Sequence, residues 1–204
     1  MDLALDDMDA LLPRLRAGDK DCFRQLVAHY HGGLLNVART LLREGEAEEA
    51  VQEAWVAAYR HIARFEGRSS LRTWLTRIVI NEAKMRLRKN GREIILDLAS
   101  AEPDPLADRF DTSGHWAPGP QRWDAHSPEQ LLEERDLLDC LRRTLEKLPT
   151  NQRVVLELRD LQGEELDTIC NMLDISASNV RVLLHRARAQ LFGTVDHYQE
   201  TGEC

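Results

Sequence analysis

The chain has 204 residues, 43% hydrophobic and 30% charged, with a formal net charge of −8, values of an ordinary globular chain of one or two domains. No apolar run approaches the ~18 residues that a membrane span needs, and the opening MDLALDDMDALLPRLRAGD is acidic where a signal peptide is basic, so a cytoplasmic protein without membrane insertion is expected. The acidic total argues against indiscriminate nucleic-acid binding, and four scattered cysteines, Cys22, Cys140, Cys170 and Cys204, none in CxxC spacing, are expected as reduced thiols and not as metal ligands.

Charge is unevenly spread. Residues 1–92 carry 16 Lys/Arg against 13 Asp/Glu, residues 93–133 carry 2 against 9, and residues 134–204 carry 9 against 13. Local basic faces can therefore dock phosphates although the whole chain is acidic.

Residues 19–43 read as helical, with Phe23, Leu26, Val27 and Tyr30, then Leu34, Leu35, Ala38, Leu41 and Leu42 as the apolar positions. Gly32-Gly33 is expected to break the stretch into two helices, and Arg43-Glu44-Gly45 to close it. His29 and His31 are two apart, so they point in different directions and are expected in solvent. Residues 46–65 favour helix most strongly. Ala47, Ala50, Val51, Ala54, Trp55, Ala58 and Ile62 make the apolar face, and Glu49, Gln52, Glu53, Val56 and Arg60 lie opposite. Composition alone reads that polar face as solvated; a docking surface for a basic partner is the sharper alternative.

Residues 65–70 form a turn in which Ser69 or Ser70 caps a helix over 71–89. Leu71, Trp74, Leu75, Ile78 and Val79 are expected toward a core, while Arg77, Asn81, Lys84 and Arg88 share a different face. Residues 68–92 hold eight Lys/Arg and one acid, Glu82, a patch suited to phosphate contact. Residues 93–128, rich in Asp and Glu and punctuated by Pro103, Pro105, Pro118, Pro120 and Pro128, read as a linker, since such a composition cannot bury enough apolar area to offset chain entropy. Phe110, Trp116 and Trp123 within it either pack locally or anchor it to a partner.

Ser127 and Pro128 cap and start a helix continued by Leu131, Leu138, Leu141, Leu145 and Leu148 and ended by Pro149. A helix over 151–161 follows, with Val154, Val155, Leu158 and Leu161 inward. Residues 163–191, GEELDTICNMLDISASNVRVLLHRARAQL, then read as two helices joined by a tight turn. Leu166, Ile169, Cys170 and Leu173 face inward from the first, and Val180, Leu183, Leu184, Ala187 and Leu191 from the second, with Ser176 as N-cap. Ser178, Arg181, Val182, His185 and Arg188 occupy the outer face, and no acid falls between Ser176 and Leu191. A basic second helix of this kind suits the major groove. No Gly-rich phosphate loop, metal triad or nucleophile–base pair occurs, so no catalysis, metal or cofactor is expected. The expected fold is all-α: two small helical domains joined by an acidic, Pro-containing linker, the second domain a helix-turn-helix.

Four blocks carry a resemblance: AEEAVQEAW (47–55), FEGRSSLRTWLTRIVINEAK (65–84), LEKLPTNQRVVLELRDLQG (145–163) and SNVRVLLHRARAQL (178–191). In this order, with an acidic linker between the second and third, the chain resembles the extracytoplasmic-function sigma factors of bacterial RNA polymerase. The resemblance implies a region-two domain over 8–92 that binds core polymerase and the minus-ten element, an acidic linker over 93–128, a region-four helix-turn-helix domain over 129–194 that reads the minus-thirty-five element, and a tail over 195–204. Glu49, Gln52 and Glu53 would dock on core polymerase, contacted through its β and β′ subunits, at the clamp coiled coil of β′. Arg68, Ser69, Ser70, Arg72 and Asn81 would take a base flipped from the minus-ten element, with Arg77, Lys84 and Arg88 on its backbone. Ser178, Asn179, Arg181, Val182, His185, Arg186 and Arg188 would contact the minus-thirty-five duplex. The implied partners are core RNA polymerase, promoter DNA and an anti-sigma factor. The competing expectation is a stand-alone helix-turn-helix regulator whose N-terminal helical domain senses a ligand or a protein.

Overall fold

The computed structural model describes residues 11–91 and 135–204. The linker, its Phe110, Trp116 and Trp123, and the expected helix start at Ser127-Pro128 lie outside the described residues. Those described form two compact units, with helices and no strand among them.

In the first unit, α1 (Leu12–Arg16), α2 (Lys20–Leu41), α3 (Glu44–His61) and α4 (Leu71–Lys89) follow one another, with a short 3-10 turn, Ile62–Arg64, after α3. Asp19 starts α2 by accepting from the N–H groups of Asp21 and Cys22 at 2.9 and 3.1 Å, which satisfies two of the donors that every helix start leaves open. The expected break at Gly32-Gly33 does not occur, because α2 is continuous through it. Tyr30, Leu34 and Val37 are buried on either side and hold both halves against α3 and α4, and that burial outweighs the roughly 1 kcal/mol a helical Gly costs. The stretch does close near Arg43, for α2 ends at Leu41 and Arg43 is the N-cap of α3, but Glu44 and Gly45 belong to the next helix. They form the first turn of α3, where Glu44 and Glu46 complement the helix dipole. Three alanines with no exposed surface, Ala47, Ala50 and Ala58, let α2 and α4 approach α3 closely. Leu71, Leu75, Val79, Ile80 and Ala83 complete the core from α4. Trp74 and Ile78 are only half-buried, and the Trp74 ring leans on Phe65 with centroids 5.0 Å apart. His29 and His31 are exposed, as expected, and His31 Nδ1 also accepts from Trp55 Nε1 at 3.2 Å.

In the second unit, α5 (Arg135–Lys147), α6 (Thr150–Leu156), a π turn (Glu157–Leu161), α7 (Leu166–Leu173) and α8 (Ala177–Thr201) pack so that α8 contacts α5, α6 and α7. On α5 the inward residues are Leu137 and Cys140, with Leu148 just beyond, while Leu138, Leu141 and Leu145 flank them half-exposed. Adjacent leucines fit two helical stripes equally well, and only packing selects between them. Leu161 is 66% exposed, against expectation. The π turn widens the coil, so the step from buried Leu158 no longer returns to the core. Cys170 and Leu191 are half-buried and not fully inside. The expected tail over 195–204 is largely helix, for α8 runs unbroken to Thr201 and is capped by Gly202 at φ 72°. Cys140 and Cys204, expected as thiols, are joined in a disulfide.

Candidate functional site

Three surfaces collect the residues singled out from the sequence. The first is the outer face of α3, where Glu49, Gln52 and Glu53 are exposed on one side of the helix. Arg86 of α4 reaches across and forks between the two acids, with Nη1 2.7 Å from Glu49 and Nη2 2.9 Å from Glu53. The arginine side chain is only 19% exposed, yet the carboxylates keep 68% and 59% of theirs in solvent. The hydrogen bond from Glu49 raises the Arg86 pKa, burial opposes this, and Glu53 adds to the rise, so the cation stays charged. Beside it, burial chiefly, and then Glu53, pushes the Glu82 carboxyl above its ordinary range, with Arg86 pulling it back. Asn90 Nδ2 donates to Glu46 Oε1 at 3.0 Å, a second tie between the same two helices. The acidic face is thus a braced, oriented array. Arg86 escaped sequence reading because it sits within a basic run. The signal was its offset: nine positions from Arg77, it falls on the opposite side of α4 at 100° per residue.

The second surface is the turn before α4 together with one face of that helix. Arg68, Ser69 and Ser70 are exposed. Gly67 supplies the reversal at φ 76°, a conformation with no steric cost for glycine, and Arg68 pairs with Glu66. Ser70 is the N-cap, accepting from Thr73 N–H at 3.1 Å. The turn is also held from α1, where Arg16 Nε donates to the Phe65 carbonyl at 2.9 Å, a tie that the sequence did not announce. Arg77, Asn81 and Arg88 are exposed along α4, Lys84 and Arg72 are half-buried, and Met85, 52% exposed, adds an apolar spot to the region. An exposed loop beside a stripe of cations can meet a nucleic-acid backbone and leave room for unstacked bases.

The third surface is the start of α8. Asp174 turns the chain in the left-handed region at φ 60°, as Asp tolerates better than most residues. Ser176 then caps α8, accepting from Asn179 N–H at 3.2 Å and sharing a 2.9 Å hydrogen bond with Ser178. Ser178, Arg181 and Val182 are exposed, while Asn179, His185 and Arg186 are half-buried at the margins. Val180, Leu183, Leu184 and Ala187 hold the opposite side in the core. Arg188 is set apart: Nε and Nη2 bind both oxygens of Asp160 in the π turn, at 2.9 and 2.6 Å. That pairing raises the Arg188 pKa against the opposing effect of burial. Among the described residues no group of His, Cys, Asp and Glu is arranged to hold a metal ion, and no helix is long and apolar enough to cross a membrane.

Comparison with known proteins agrees with this division. Residues 26–93 match Sigma-70 region 2 and residues 138–191 match Sigma-70, region 4. The ECF RNA polymerase sigma-E factor of Escherichia coli (strain K12) is 31% identical over 179 residues, covering 87% of this chain and 88% of that protein. Its counterpart in Haemophilus influenzae is 30% identical over 182 residues, covering 89% and 92%. Among solved structures, CnrH in complex with the cytosolic domain of CnrY superposes with a TM-score of 0.53 at 25% identity, over 92% of this chain and 96% of that one. RpoE in complex with the anti-sigma factor NepR from Bartonella quintana shares the fold, with a TM-score of 0.54 at 22% identity, over 85% and 96%. With both regions in order and relatives aligned over nearly their full length, the chain belongs to the extracytoplasmic-function sigma factors and is an alternative sigma factor.

Proposed function

We propose that this sigma factor works in the cytoplasm, binds core RNA polymerase through the braced acidic face of α3, and directs initiation by reading a promoter at two places. Glu49, Gln52 and Glu53 meet a basic helical surface of the polymerase, where charge complementarity sets orientation and encounter rate. The exposed turn with Arg68, Ser69 and Ser70, together with Arg72 and Asn81, accepts an unpaired base of the minus-ten element, since a base is read on its pairing edge only once it has left the stack. Arg77, Lys84 and Arg88 neutralise the adjoining phosphates. The first turns of α8 enter the major groove of the minus-thirty-five element, where Arg181 and His185 read base edges, Val182 meets a thymine methyl, and Ser178, Asn179 and Arg186 hold the backbone. Arg188 reaches phosphate only in competition with Asp160.

The observation that carries this reading is the pairing, in one chain, of an exposed loop-and-cation surface suited to single strands with a capped helix whose first turns, through Leu191, hold no acid and suit duplex. A stand-alone regulator needs only the second. The likeness to CnrH, solved with the cytosolic domain of CnrY, supports a third partner, an anti-sigma protein. The test is binding of the labelled chain to purified core polymerase, followed by permanganate mapping of promoter opening. Saturable core binding, with thymines near minus ten becoming reactive only when both are present, supports the reading. Tight promoter binding without core, and no opening with it, contradicts it.

A further inference from the structure

Two of the cysteines are brought together by the fold. Cys140 lies on the inward face of α5, 1% exposed, and Cys204 follows the cap of α8. They are linked across 64 positions with Cα atoms 5.4 Å apart, an ordinary span for a disulfide. Backbone features besides the bond shape the approach. Gly202 reverses the chain at φ 72°, Glu203 N–H donates to Thr201 Oγ1 at 3.1 Å, and the turn carries Cys204 onto α5. Arg143, on the next turn of α5, donates from Nη2 to Cys204 Sγ at 3.0 Å. Cys22 is buried and Cys170 half-buried, and both are free thiols.

We propose that Cys140 and Cys204 are a peroxide-responsive thiol–disulfide pair that pins the far end of α8 to α5. Its bearing on promoter reading rests on the function proposed above; the pair itself does not. Cys204, exposed and beside a guanidinium that stabilises negative charge on sulfur, is the attacking thiolate. It attacks one oxygen of hydrogen peroxide and becomes a sulfenic acid, and the released hydroxide takes a proton to leave as water. The Cys140 thiol then attacks the sulfenic sulfur. The S–S bond forms, and the departing hydroxyl leaves with the Cys140 proton as a second water. Two thiols give up two electrons and two protons, and one peroxide is reduced to two waters. A dithiol reverses the step by exchange.

The link acts on the helix that reads DNA. α8 is continuous from Ala177 to Thr201, and its later half already meets α5 through the 2.8 Å contact between Thr194 Oγ1 and Thr144 Oγ1. Closing a long loop constrains the unfolded chain, so the oxidised unit resists heat better than the reduced one. In a reducing compartment a link of this kind is transient and signals oxidation.

The experiment uses the full chain, reduced, desalted, treated with hydrogen peroxide, alkylated and digested without reductant. The expected result is one linked peptide pair containing Cys140 and Cys204, two hydrogens lighter than the sum, with Cys22 and Cys170 alkylated and the link reversed by dithiothreitol. The melting transition of the second unit should rise on oxidation by on the order of 10 °C. This rise should be absent in Cys204→Ser, a change at an exposed position that leaves the core intact. Cys204 left alkylated after peroxide, linked to Cys170 or to a second chain, or an equal rise in Cys204→Ser, would overturn the proposal. Both readouts work without polymerase or DNA, so they decide the pair whatever the outcome for transcription.

Discussion

Arg188 and Asp160 form a two-point ion pair, with both carboxylate oxygens engaged and the side chains 24% and 32% exposed. The pair fastens the later part of the helix that carries Arg181 and His185 to the π turn, so its main effect is to orient that helix. Arg188→Ala and Asp160→Ala should each destabilise the second unit by roughly 1 kcal/mol after allowance for solvent screening. The double mutant should lose little more than either single one, which a double-mutant cycle in urea measures. Additive losses would show that the two residues act separately.

Arg86 holds Glu49 and Glu53 in place, so removing it should loosen the proposed polymerase-binding face without emptying the core. Arg86→Ala should weaken core binding several-fold and leave the helical content unchanged, measured by fluorescence titration and circular dichroism. Reversing Glu49 and Glu53 to Lys should weaken it further, because like charges then face the partner and Arg86 alike. Normal core affinity in both folded variants would remove α3 as the contact.

Two carboxyl groups should move the stability of the first unit in opposite directions with pH. The backbone N–H of Cys22, the Arg14 side chain and the N–H of Asp21 hold Asp19 down to about 2. Its contribution is therefore complete above the ordinary carboxylate range and is lost as pH falls through about 2. Glu82 is held above its ordinary value by burial and Glu53. The folded state keeps its proton longer, so ionised Glu82 costs stability at neutral pH, and the cost disappears as pH falls to the ordinary Glu range. Glu82→Gln should raise the melting temperature at pH 7, by less than the equivalent of about 1 kcal/mol, and the gain should vanish in acid. Asp19→Ala should lower it at neutral pH, and the loss should shrink toward the acid extreme, where only the neutral side chain's capping remains to be removed.

Much of this arrangement was legible beforehand. The span of α4 and a Ser cap at 69 or 70 follow from two serines, an apolar period and a basic last turn, the fold choosing Ser70, and α8 begins after its expected Ser176 cap. Its buried stripe of Val180, Leu183, Leu184 and Ala187 follows from spacing alone. What was not legible depends on partners distant in sequence. Gly32 and Gly33 look like a break until α3 and α4 pack beside them. Leu161 looks buried until the π turn shifts the period. Arg86, Asp160 and Cys204 acquire roles only through residues 37, 28 and 64 positions away, and no local pattern encodes such pairings.

On α4 the stripe should divide its labour. Lys84→Ala and Arg88→Ala should lower affinity for all promoters alike and flatten the salt dependence, by about one unit of slope for each phosphate no longer neutralised. Asn81→Ala should instead change preference at one minus-ten position, read by competition among promoter variants in the presence of core. A uniform weakening by all three would assign Asn81 to the backbone.

On α8, Arg181→Ala should relax preference at one base pair of the upstream element, reducing discrimination there by about 1–3 kcal/mol. Ser178→Ala should weaken all sequences to a similar and smaller degree. Selection from a library randomised over that element measures both. An unchanged profile for Arg181→Ala, with the helix intact by circular dichroism, would exclude Arg181 as a base reader.

Above all, this chain should confer promoter choice on a polymerase that lacks it. Run-off transcription with purified core RNA polymerase on a library of genomic fragments, with and without the chain, tests this directly. The expected result is a set of discrete transcripts that require both components, share paired upstream and downstream elements, and disappear with Glu49→Lys/Glu53→Lys. An unchanged transcript pattern on adding the folded, core-competent chain would contradict it.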